Sequence, residues 1–536
     1  MSLKRLLFLL IIFSALILNL LPYFVDGRMG CLEKNCGFIF GTNYRDGLWF
    51  FAVANTAFNK IPFIHPTFAG ENLSGYHFLP NFLVFFLSKI GISPFFSYFK
   101  LIPFFYFLTI TFILFKILIT IKNDFTFLNL GFFFFCFGIP FTLLTSLINN
   151  QPLNNGLLIN TFQATRVLES PHTAIGLIII FLVYYWLLKN KLDEKWPVIL
   201  FLFFICFGIK FYAAVTLGML IGFYLLLNRE KNYIKKLISL IVVGGIAVLI
   251  FLQPDFKKPP TFIFSPFSTV HHLIESPNLF YNKNLILARY FLYEKGMGPR
   301  LLAIELYSLF LFVFFYLGTR FFGVFYFFLK KKIKPLDKSV FLTFIACVFL
   351  STFFIQRGDW FNPIQFLVPS AYLFALYTAL FFHNLFKNNK FIFITIFTPI
   401  FIFTFLPNLV NLTYLKNQAR LVIDKEEIEA LNYLKKMPFN YVFAPIDEND
   451  TSYVAAFSQK PTYLNFLTIN QTLGINYQKR LKKIGDPQNF NPENVEVKYF
   501  YLPKQNPYTQ KIIDKLTSKK YQKIFENKKV IIFLKK

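Results

Sequence analysis

The sequence predicts a mostly α-helical polytopic membrane protein with about eleven transmembrane helices and a small C-terminal α/β domain. Hydrophobic residues make up 55% of the 536-residue chain and charged residues only 15%, and the mean hydropathy is +0.51. Apolar runs such as residues 101–121 and 237–252 have the length and composition of membrane-spanning helices. After residue 407 the composition changes to a polar, lysine-rich stretch long enough for a small domain.

The positive charge of the chain predicts its orientation in the membrane. The net charge is +28, and much of it lies in short loops between the apolar runs. Lysine and arginine in such loops remain on the cytoplasmic side of a membrane. We therefore expect membrane lipids as partners and no nucleic acid.

Eleven spans place nearly all of the lysine-rich connectors on one side of the membrane, as the positive-inside rule requires. This count treats residues 78–92 as a surface or re-entrant segment, because a twelfth crossing would reverse every later connector. It also divides residues 196–228 into two short helices with Lys210 at the outer turn. The first span is uncleaved, so the N-terminus is cytoplasmic, as in a bacterial-type plasma membrane protein. The predicted spans are residues 6–25, 98–121, 127–147, 172–188, 196–209, 211–228, 234–252, 301–329, 339–355, 361–382 and 390–407.

Two domains follow from this division, a multispanning membrane domain over residues 1–407 and a soluble α/β domain over residues 408–536. The parity of the spans places the second domain on the extracytoplasmic side. Its hydrophobic pattern predicts helices and short strands in mixed order. The expected elements are helices at residues 425–436, 472–484 and 508–518, and strands at residues 441–444, 495–502 and 530–534.

The five cysteines do not predict a disulfide scaffold. Cys136, Cys206 and Cys347 lie inside apolar runs and are expected to be packing residues. Cys31 and Cys36 share the first outer loop, residues 26–77. They are predicted either to form a disulfide in an oxidising compartment or to remain free, with zinc as a weaker alternative.

The first outer loop contains Tyr44-Arg45-Asp46-Gly47 close to the membrane. Residues 48–58 are predicted to form an amphipathic helix that rests on the membrane surface. Asp46 is then either a turn or helix-capping residue, or a general base at the interface.

Ionisable residues concentrate on the predicted outer face, which we interpret as the functional one, because charges near the membrane are costly. The candidates on that face are Asp46, Glu71, His77, Arg166, Glu169, His172, Lys210, His271, His272, Glu275, Arg289, Glu294, Arg300, Arg357 and Asp359.

This arrangement is similar to that of the GT-C superfamily of membrane glycosyltransferases. The resemblance rests on a long loop with an early acid after one span, and on Gly70-Glu71 and Gly75-Tyr76-His77-Phe78-Leu79-Pro80 later in that loop. The span count, the short paired helices in mid-chain and the C-terminal outer domain add to it. The resemblance implies that Asp46 is the catalytic base facing a lipid-phosphate sugar donor, with Glu71 a distant second.

One departure from the superfamily concerns metal binding. Many members have two adjacent acids, whereas Asp46 lies between Arg45 and Gly47. No cofactor or metal site is therefore predicted, and a divalent metal has no support in the sequence. Adjacent His271 and His272 do not indicate one either, since neighbouring side chains on one element face different ways.

Several further residues are candidates for substrate binding, and each has a structural alternative. Arg166 and His172 would contact phosphate or sugar, although Arg166 could equally pair with Glu169 on a short helix. Lys210 would pair with the donor phosphate or extend to the membrane surface. The other substrate-binding candidates are Glu71, His77, Arg300 and Arg357, of which Arg357 has a surface pair with Asp359 as its alternative.

The predicted function is an inverting transfer of a sugar from a polyprenyl-phosphate donor to a glycan, lipid or protein acceptor on the outer membrane face. No Walker A, GxGxxG, GxSxG or HExxH signature is present in the sequence. The alternatives are a transporter or flippase of a lipid-linked sugar, and a non-catalytic membrane scaffold.

The predicted orientation is testable by labelling single cysteines with a membrane-impermeant thiol reagent. Cysteines introduced at Asn154, Asn282 and Asn449 should be labelled from outside, and those at Asn232 and Lys334 should be protected. Labelling at Lys334 together with protection at Asn282 would reverse the orientation.

Overall fold

The computed structural model describes most of the chain. The described residues are 3–25, 28–32, 35–41, 44–148, 150, 170–229, 232–254, 259–276, 281–296, 298–330, 332–417, 421–485, 490–516 and 520–536.

The described chain is mostly helical and forms an integral membrane protein, as the composition predicts. Eight of its helices are long and apolar enough to cross a membrane. They are Pro94–Ile121, Pro171–Leu188, Phe211–Asn228, Tyr233–Leu252, Pro299–Leu329, Pro335–Phe353, Asn362–Asn388 and Lys390–Val410.

The three remaining predicted spans are also helical, but they differ from the eight in length or charge. Leu3–Val25 is the N-terminal helix, and Leu192–Ile209 carries two acids in its first turn. The span predicted over residues 127–147 is divided into Phe125–Phe137 and Thr142–Ile148. Residues 78–92, which we predicted to be a surface or re-entrant segment and not a span, contain the short helix Leu79–Lys89.

A buried arginine stabilises the break in that divided span. Arg320 is fully buried and donates hydrogen bonds to the carbonyl oxygens of Phe134 and Phe135, at 3.2 and 3.0 Å. The last carbonyls of a helix have no partner within the helix. Its guanidinium also lies 4.4 Å from the centre of the Tyr372 ring. Arg320 is therefore occupied by a structural role inside the membrane domain.

Short strands and helices lie between the membrane helices, at the face where Asp46 lies; we call it the outer face after the predicted orientation. Strands β1 and β2 of the first loop form an antiparallel hairpin, and strands β3 and β4 pair further along the chain. These elements are β1 Arg28–Leu32, β2 Asn35–Phe40, β3 Phe262–Phe264 and β4 Phe354–Gln356, with helices Ser268–Glu275 and Lys283–Glu294.

The hairpin answers the question that the sequence left open for two cysteines. Cys36 is disulfide-bonded, and it lies directly opposite Cys31 in the hairpin ladder. The other three cysteines are free, and Cys206 and Cys347 are buried as predicted.

The predicted amphipathic helix of the first loop is instead a buried helix, Tyr44–Thr56. Every residue from Gly47 to Ala57 is buried, so no face remains to rest on a membrane surface. Asn81 donates to the carbonyl of Phe50 at 2.9 Å, and Asn55 donates to that of Ala456 at 2.8 Å. The prediction was wrong because the polar positions of this helix contact other parts of the protein rather than water.

The C-terminal region is a small α/β unit, as predicted. Its four-stranded sheet has the order β6-β7-β9-β8, in which β6 and β7 are parallel and the other neighbours antiparallel. The strands are β6 Val442–Phe443, β7 Tyr499–Pro503, β8 Tyr521–Glu526 and β9 Val530–Lys535. The helices are Lys425–Lys436, Tyr453–Ser458, Leu467–Thr472, Gln478–Ile484 and Pro507–Leu516.

The expected boundary at residue 407 lies inside a helix. Lys390–Asn417 continues past it, with Pro399 and Pro407 in its interior. The strand that follows, β5 Leu421–Asp424, pairs with β2 of the first loop, from Gly37 opposite Asp424 to Phe40 opposite Leu421. The loop and the C-terminal region therefore share one three-stranded sheet.

Backbone hydrogen bonds join the same two regions a second time. Thr462 donates to Pro66 at 2.8 Å, Ala69 donates to Thr462 at 2.9 Å, and Asn465 donates to Thr67 at 3.0 Å. Phe68 from the loop also belongs to the hydrophobic core of the C-terminal sheet. The C-terminal region thus holds the loop in place through both its backbone and its core.

The sheet that β2 and β5 share predicts that a side chain at Gly37 lowers the stability of the protein. A Cβ at this position would overlap the carbonyl oxygen of Ile423 in β5. Gly37→Ala should lower the free energy of unfolding by about 1–3 kcal/mol, the usual range for overpacking. Denaturant unfolding of the purified protein in detergent measures this.

Gly245→Ala is the matched control, because a Cβ there meets no atom within 4 Å. Alanine is also the better helix former, so the control should unfold at the same or a higher denaturant concentration. Equal stability of the two variants would contradict the close pairing of β2 and β5.

Candidate functional site

Asp46 lies in the first turn of the buried helix Tyr44–Thr56. Its side chain is exposed, yet protein surrounds it closely enough to change its chemistry. Desolvation raises the pKa of the Asp46 carboxyl above its ordinary value, while the positive charges of Lys210 and Arg45 lower it. Asp46 is thus a carboxyl whose proton affinity depends on a nearby lysine.

Lys210 reaches this site from the break between two helices. Leu192–Ile209 ends before it and Phe211–Asn228 begins after it, and Lys210 itself is extended, with φ −160° and ψ 111°. The residue is 7% exposed. Its ammonium lies 5.6 Å from the centre of the Tyr212 ring. The predicted division of residues 196–228 at this lysine is confirmed.

Asp359 joins the site from the turn that follows β4. The pKa of its carboxyl is raised by burial and by the negative charge of Asp46, and the backbone amides of Phe361 and Asn362 lower it. The turn is anchored through Gln356, whose side-chain oxygen accepts hydrogen bonds from the Tyr212 hydroxyl at 2.5 Å and the Asn362 amide at 2.6 Å.

Two histidines, His77 and His172, lie next to each other beside these charged residues, and we call this pair the histidine wall. The rings of His77 and His172 are 5.2 Å apart, and the Tyr76 ring stacks on His77 at 4.9 Å. Burial lowers the pKa of His77 well below its ordinary value, and the charges of Lys210 and His172 lower it further. His77 is therefore a neutral imidazole near pH 7.

The hydrogen bonds of His172 define which of its nitrogens is available. Asn81 donates its amide N–H to the Phe50 carbonyl, so its oxygen accepts from His172 Nε2 at 2.8 Å. In a neutral imidazole the other nitrogen, Nδ1, then carries a lone pair. That Nδ1 is buried and has no hydrogen-bond partner among the described residues. A ligand hydroxyl could donate to it.

These residues make up the Asp46 cluster, defined as Asp46, His77, His172, Lys210 and Asp359. Within the described chain, neither the Asp46 carboxyl nor the Lys210 ammonium has a hydrogen bond or ion pair. The two opposite charges affect each other's protonation without a direct contact, so each group is available to a ligand. We call this separation the gap between Asp46 and Lys210.

The C-terminal region covers the Asp46 cluster from outside. Arg45 Nε donates to the Asn449 carbonyl at 2.9 Å. A Cβ at Gly358, beside Asp359, would lie 2.9 Å from the backbone nitrogen of Thr472, and a Cβ at Gly75 would lie 3.9 Å from the Leu473 side chain. Both ends of the chain therefore contribute to the walls of the site.

Four of the eight predicted site residues come together in the cluster, namely Asp46, His77, His172 and Lys210. The structure places the others elsewhere. Glu71 is exposed near Arg480 of the C-terminal region; burial lowers the pKa of the Arg480 guanidinium, and the negative charge of Glu71 opposes this effect. Arg166 lies outside the described residues.

The two arginines preferred as phosphate contacts are also apart from the cluster. Arg300 is exposed in the first turn of Pro299–Leu329 and has no hydrogen bond or ion pair with any described residue. Arg357 turns away from Asp359, since its Nε donates to the Pro260 carbonyl at 3.5 Å. The Arg357–Asp359 surface pair is absent from the described ion pairs as well.

Sequence reasoning undervalued Asp359 and missed Tyr76 and Tyr212. Asp359 was visible as an outer-face acid, but only the folded turn shows that its charge reaches Asp46. Tyr76 lay within the loop motif Gly75-Tyr76-His77, and Tyr212 two residues after Lys210. Proximity to a predicted site residue was the one signal available for either.

Metal ligands do not gather in the described part of the structure. No three His, Cys, Asp or Glu side chains there are close enough to hold one ion. The carboxyl groups of Asp46 and Asp359 interact electrostatically, and Lys210 adds a positive charge that interacts with Asp46.

Comparison with known proteins found similarity in structure alone. No protein-family model matches the chain, and no curated protein matches its sequence. The oligosaccharyltransferase of Archaeoglobus fulgidus in its apo form is 13% identical with a TM-score of 0.48, over 94% of this chain and 69% of that chain. Archaeal oligosaccharyltransferase AglB from the same organism, in complex with an inhibitory peptide and a dolichol-phosphate, is 12% identical with a TM-score of 0.49, over 93% and 69%.

A third structure of that enzyme, tethered with an acceptor peptide containing the NVT sequon, is 11% identical with a TM-score of 0.49, over 93% and 69% of the two chains. All three of these likenesses have low sequence identity and TM-scores below 0.5, and they do not bear on substrate or mechanism.

Proposed function

We propose that this protein is a membrane glycosyltransferase that uses a polyprenyl-phosphate sugar as donor. The observation that carries the proposal is the gap between Asp46 and Lys210, two charged groups that influence each other's protonation without an ion pair. A base and a cation held apart at a membrane surface suit a reaction with a hydroxyl acceptor and a phosphate leaving group.

Asp46 is the proposed general base. Its carboxylate removes the proton from an acceptor hydroxyl as the acceptor oxygen attacks the anomeric carbon of the sugar. The new carbon–oxygen bond forms as the bond to the phosphate oxygen breaks, with inversion at that carbon. The raised pKa of Asp46 favours this role, because a base with a higher pKa accepts a proton more readily.

Lys210 is the proposed partner of the leaving group. The departing polyprenyl phosphate keeps the electron pair of the broken bond and gains negative charge, which a desolvated ammonium stabilises strongly. Lys210 is buried and has no anionic partner among the described side chains, so this charge is available. The mechanism assigns no step to Arg300, Arg357 or a metal ion.

The histidine wall is proposed to orient the sugar. The free Nδ1 of His172 accepts a hydroxyl hydrogen, and neutral His77 offers a second polar ring beside it. Sugars present several hydroxyls within a few ångströms, so two fixed acceptors would select one orientation. The acceptor itself is a glycan, a lipid or a protein on the outer membrane face.

The base assignment predicts a large loss of rate in Asp46→Asn. Asparagine keeps the size of the side chain but cannot take up the proton, so turnover should fall about 10²–10⁴-fold. Donor binding should persist, because Lys210 remains. Glycosyl transfer by purified protein, measured with a panel of polyprenyl-phosphate sugars, gives the rate.

Glu71→Gln is the matched control, since Glu71 is an exposed carboxyl on the same loop. Its activity should stay within a few-fold of the wild type. Asparagine is also a good residue at helix starts. Near-normal turnover by folded Asp46→Asn would therefore show that Asp46 is only structural and would refute its role as base.

The electrostatic coupling predicts a shift in the pH profile. Because the base must be deprotonated, kcat/KM should fall as the pH decreases through the pKa of Asp46, which lies above that of an ordinary aspartate. Lys210 lowers this pKa, so Lys210→Gln should move the acidic limb to higher pH. Lys60→Gln, an exposed lysine of the same loop, should leave the limb in place. An unmoved limb in Lys210→Gln would contradict the coupling.

A further inference from the structure

A cavity lined by both charged and apolar side chains lies among the membrane helices at some distance from the Asp46 cluster. Its volume is about 780 Å³. It is enclosed by the last turns of Pro94–Ile121, Pro171–Leu188, Pro299–Leu329 and Asn362–Asn388, and by the first turn of Pro335–Phe353. The cavity is large enough for a lipid headgroup.

The same helices show that the cavity is at the opposite membrane face from Asp46. Helix Pro171–Leu188 has His172 of the Asp46 cluster at its start and Leu188 of the cavity at its end, about 24 Å away at 1.5 Å per residue. Helix Pro335–Phe353 runs the other way, from Leu336 in the cavity toward the turn of Asp359. The positive-inside rule predicts that this second face is cytoplasmic.

Asp337, an aspartate in the lining of the cavity, already has an ion-pair partner and a hydrogen-bond partner. Asp337 is 9% exposed, and its Oδ2 lies 3.2 Å from Lys330 Nζ. Its Oδ1 accepts a hydrogen bond from the Tyr377 hydroxyl at 3.1 Å, and that hydroxyl is 3.5 Å from the hydroxyl of Tyr184. Both carboxylate oxygens are therefore in use, and Asp337 cannot also neutralise the remaining lysines.

A second aspartate near the cavity, Asp124, also has a hydrogen-bond partner and an ion-pair partner. Asp124 accepts from His383 Nε2 at 3.0 Å and lies 3.5 Å from Lys387. Because Nε2 carries the proton, His383 Nδ1 has a lone pair and accepts from Lys122 Nζ at 3.1 Å. Lys122 therefore points a positive charge into the cavity with a neutral ring as its partner.

Lys122 and Lys334 both line the cavity, and neither has a carboxylate partner among the described residues. With Lys330, three lysines face one aspartate across the same space. Such an excess of positive charge in a partly enclosed site attracts an anion. Asn384 and Asn388 add amide groups to the lining, which can donate to its oxygens.

The lining of the cavity is apolar where it opens onto the exposed surface of the membrane helices. Leu329 lines the cavity and is 71% exposed on the surface of the membrane domain, next to Phe328, which is 75% exposed. Leu380 and Phe381 continue this apolar lining. A ligand with a charged head and apolar chains would match both parts, whereas a purely water-soluble anion would match only the lysines.

We propose that this cavity binds the phosphate group of a lipid headgroup at the membrane face opposite Asp46. Basic pockets between transmembrane helices on the cytoplasmic side are suited to anionic headgroups, and lysine binds phosphate as a point charge. The shared chemistry is a phosphate anion, and free phosphate is the other source of it. This site is separate from the proposed transfer reaction and does not rest on it.

The test compares two pairs of substitutions in the full-length protein in a neutral detergent. Lys122→Gln with Lys334→Gln removes both cations that lack a carboxylate partner. Lys332→Gln with Lys338→Gln removes the same charge from exposed positions of the same segment that do not line the cavity. Thermal unfolding without added lipid first establishes that both double variants are folded.

Binding of phosphatidylglycerol is then titrated by native mass spectrometry and by the rise in Tm. The cavity variant should bind roughly 30-fold more weakly, from about a tenfold factor per 1.4 kcal/mol and about 1 kcal/mol for each lysine. The control variant should bind within about twofold of the wild type. Asp46→Asn should bind the lipid normally, which separates this site from the proposed catalytic one.

Phosphatidylcholine and inorganic phosphate form the remaining arms. The proposal expects weak binding of phosphatidylcholine, whose choline cation opposes the lysines, and competition by phosphate against phosphatidylglycerol. Stabilisation by phosphate with none by phosphatidylglycerol would overturn the lipid assignment in favour of free phosphate. Equal loss in the two double variants, or no loss in the cavity variant, would overturn the site itself.

Discussion

The pairing of β2 with β5 is the constraint on which the region around Asp46 depends. It joins the first loop to the segment that follows the last membrane helix, from Gly37 opposite Asp424 to Phe40 opposite Leu421. The loop then continues directly into the helix that carries Asp46, and Asn55 of that helix is bonded to Ala456. Asp46 is therefore positioned jointly by the membrane helices and by the C-terminal region.

This positioning explains how unpaired charges persist in the Asp46 cluster. Charged groups removed from water are costly unless they are paired, and Asp46 and Lys210 are held by different elements that prevent direct contact. Lys210 is buried and Asp46 is exposed, and the packing of Tyr44–Thr56 and its neighbours supplies free energy that holds both groups in place. A bound ligand with a hydroxyl near Asp46 and a phosphate near Lys210 would relieve that cost.

Much of the architecture could be predicted from the sequence because each membrane helix is recognisable as a long local run of apolar residues. The division at Lys210 and the helix Lys425–Lys436 came from such local patterns, and both are present. Chain parity also placed Asp46, His77, His172 and Lys210 on one face, where the structure brings them together. The number of spans does not determine lateral position, and among the described residues neither Arg300 nor Arg357 has a hydrogen bond or ion pair with these four.

The errors in the loop have one physical origin. Strands of four to six residues carry little pattern of their own, and β5, the partner of β2, lies more than half of the chain length away in sequence. Without that partner, Tyr44–Thr56 has the pattern of a helix with one polar side, which suggests a membrane surface. Arg45 and Asn55 of this helix instead donate to the backbone carbonyls of Asn449 and Ala456 in the C-terminal region.

The β2–β5 pairing also has a consequence for biosynthesis. The first loop is made early, but the strand that completes its sheet leaves the ribosome only after the described membrane helices have been made. Until then the residues around Asp46 lack part of their enclosure. A chain interrupted during synthesis would therefore have its membrane helices but an incomplete sheet beside Asp46.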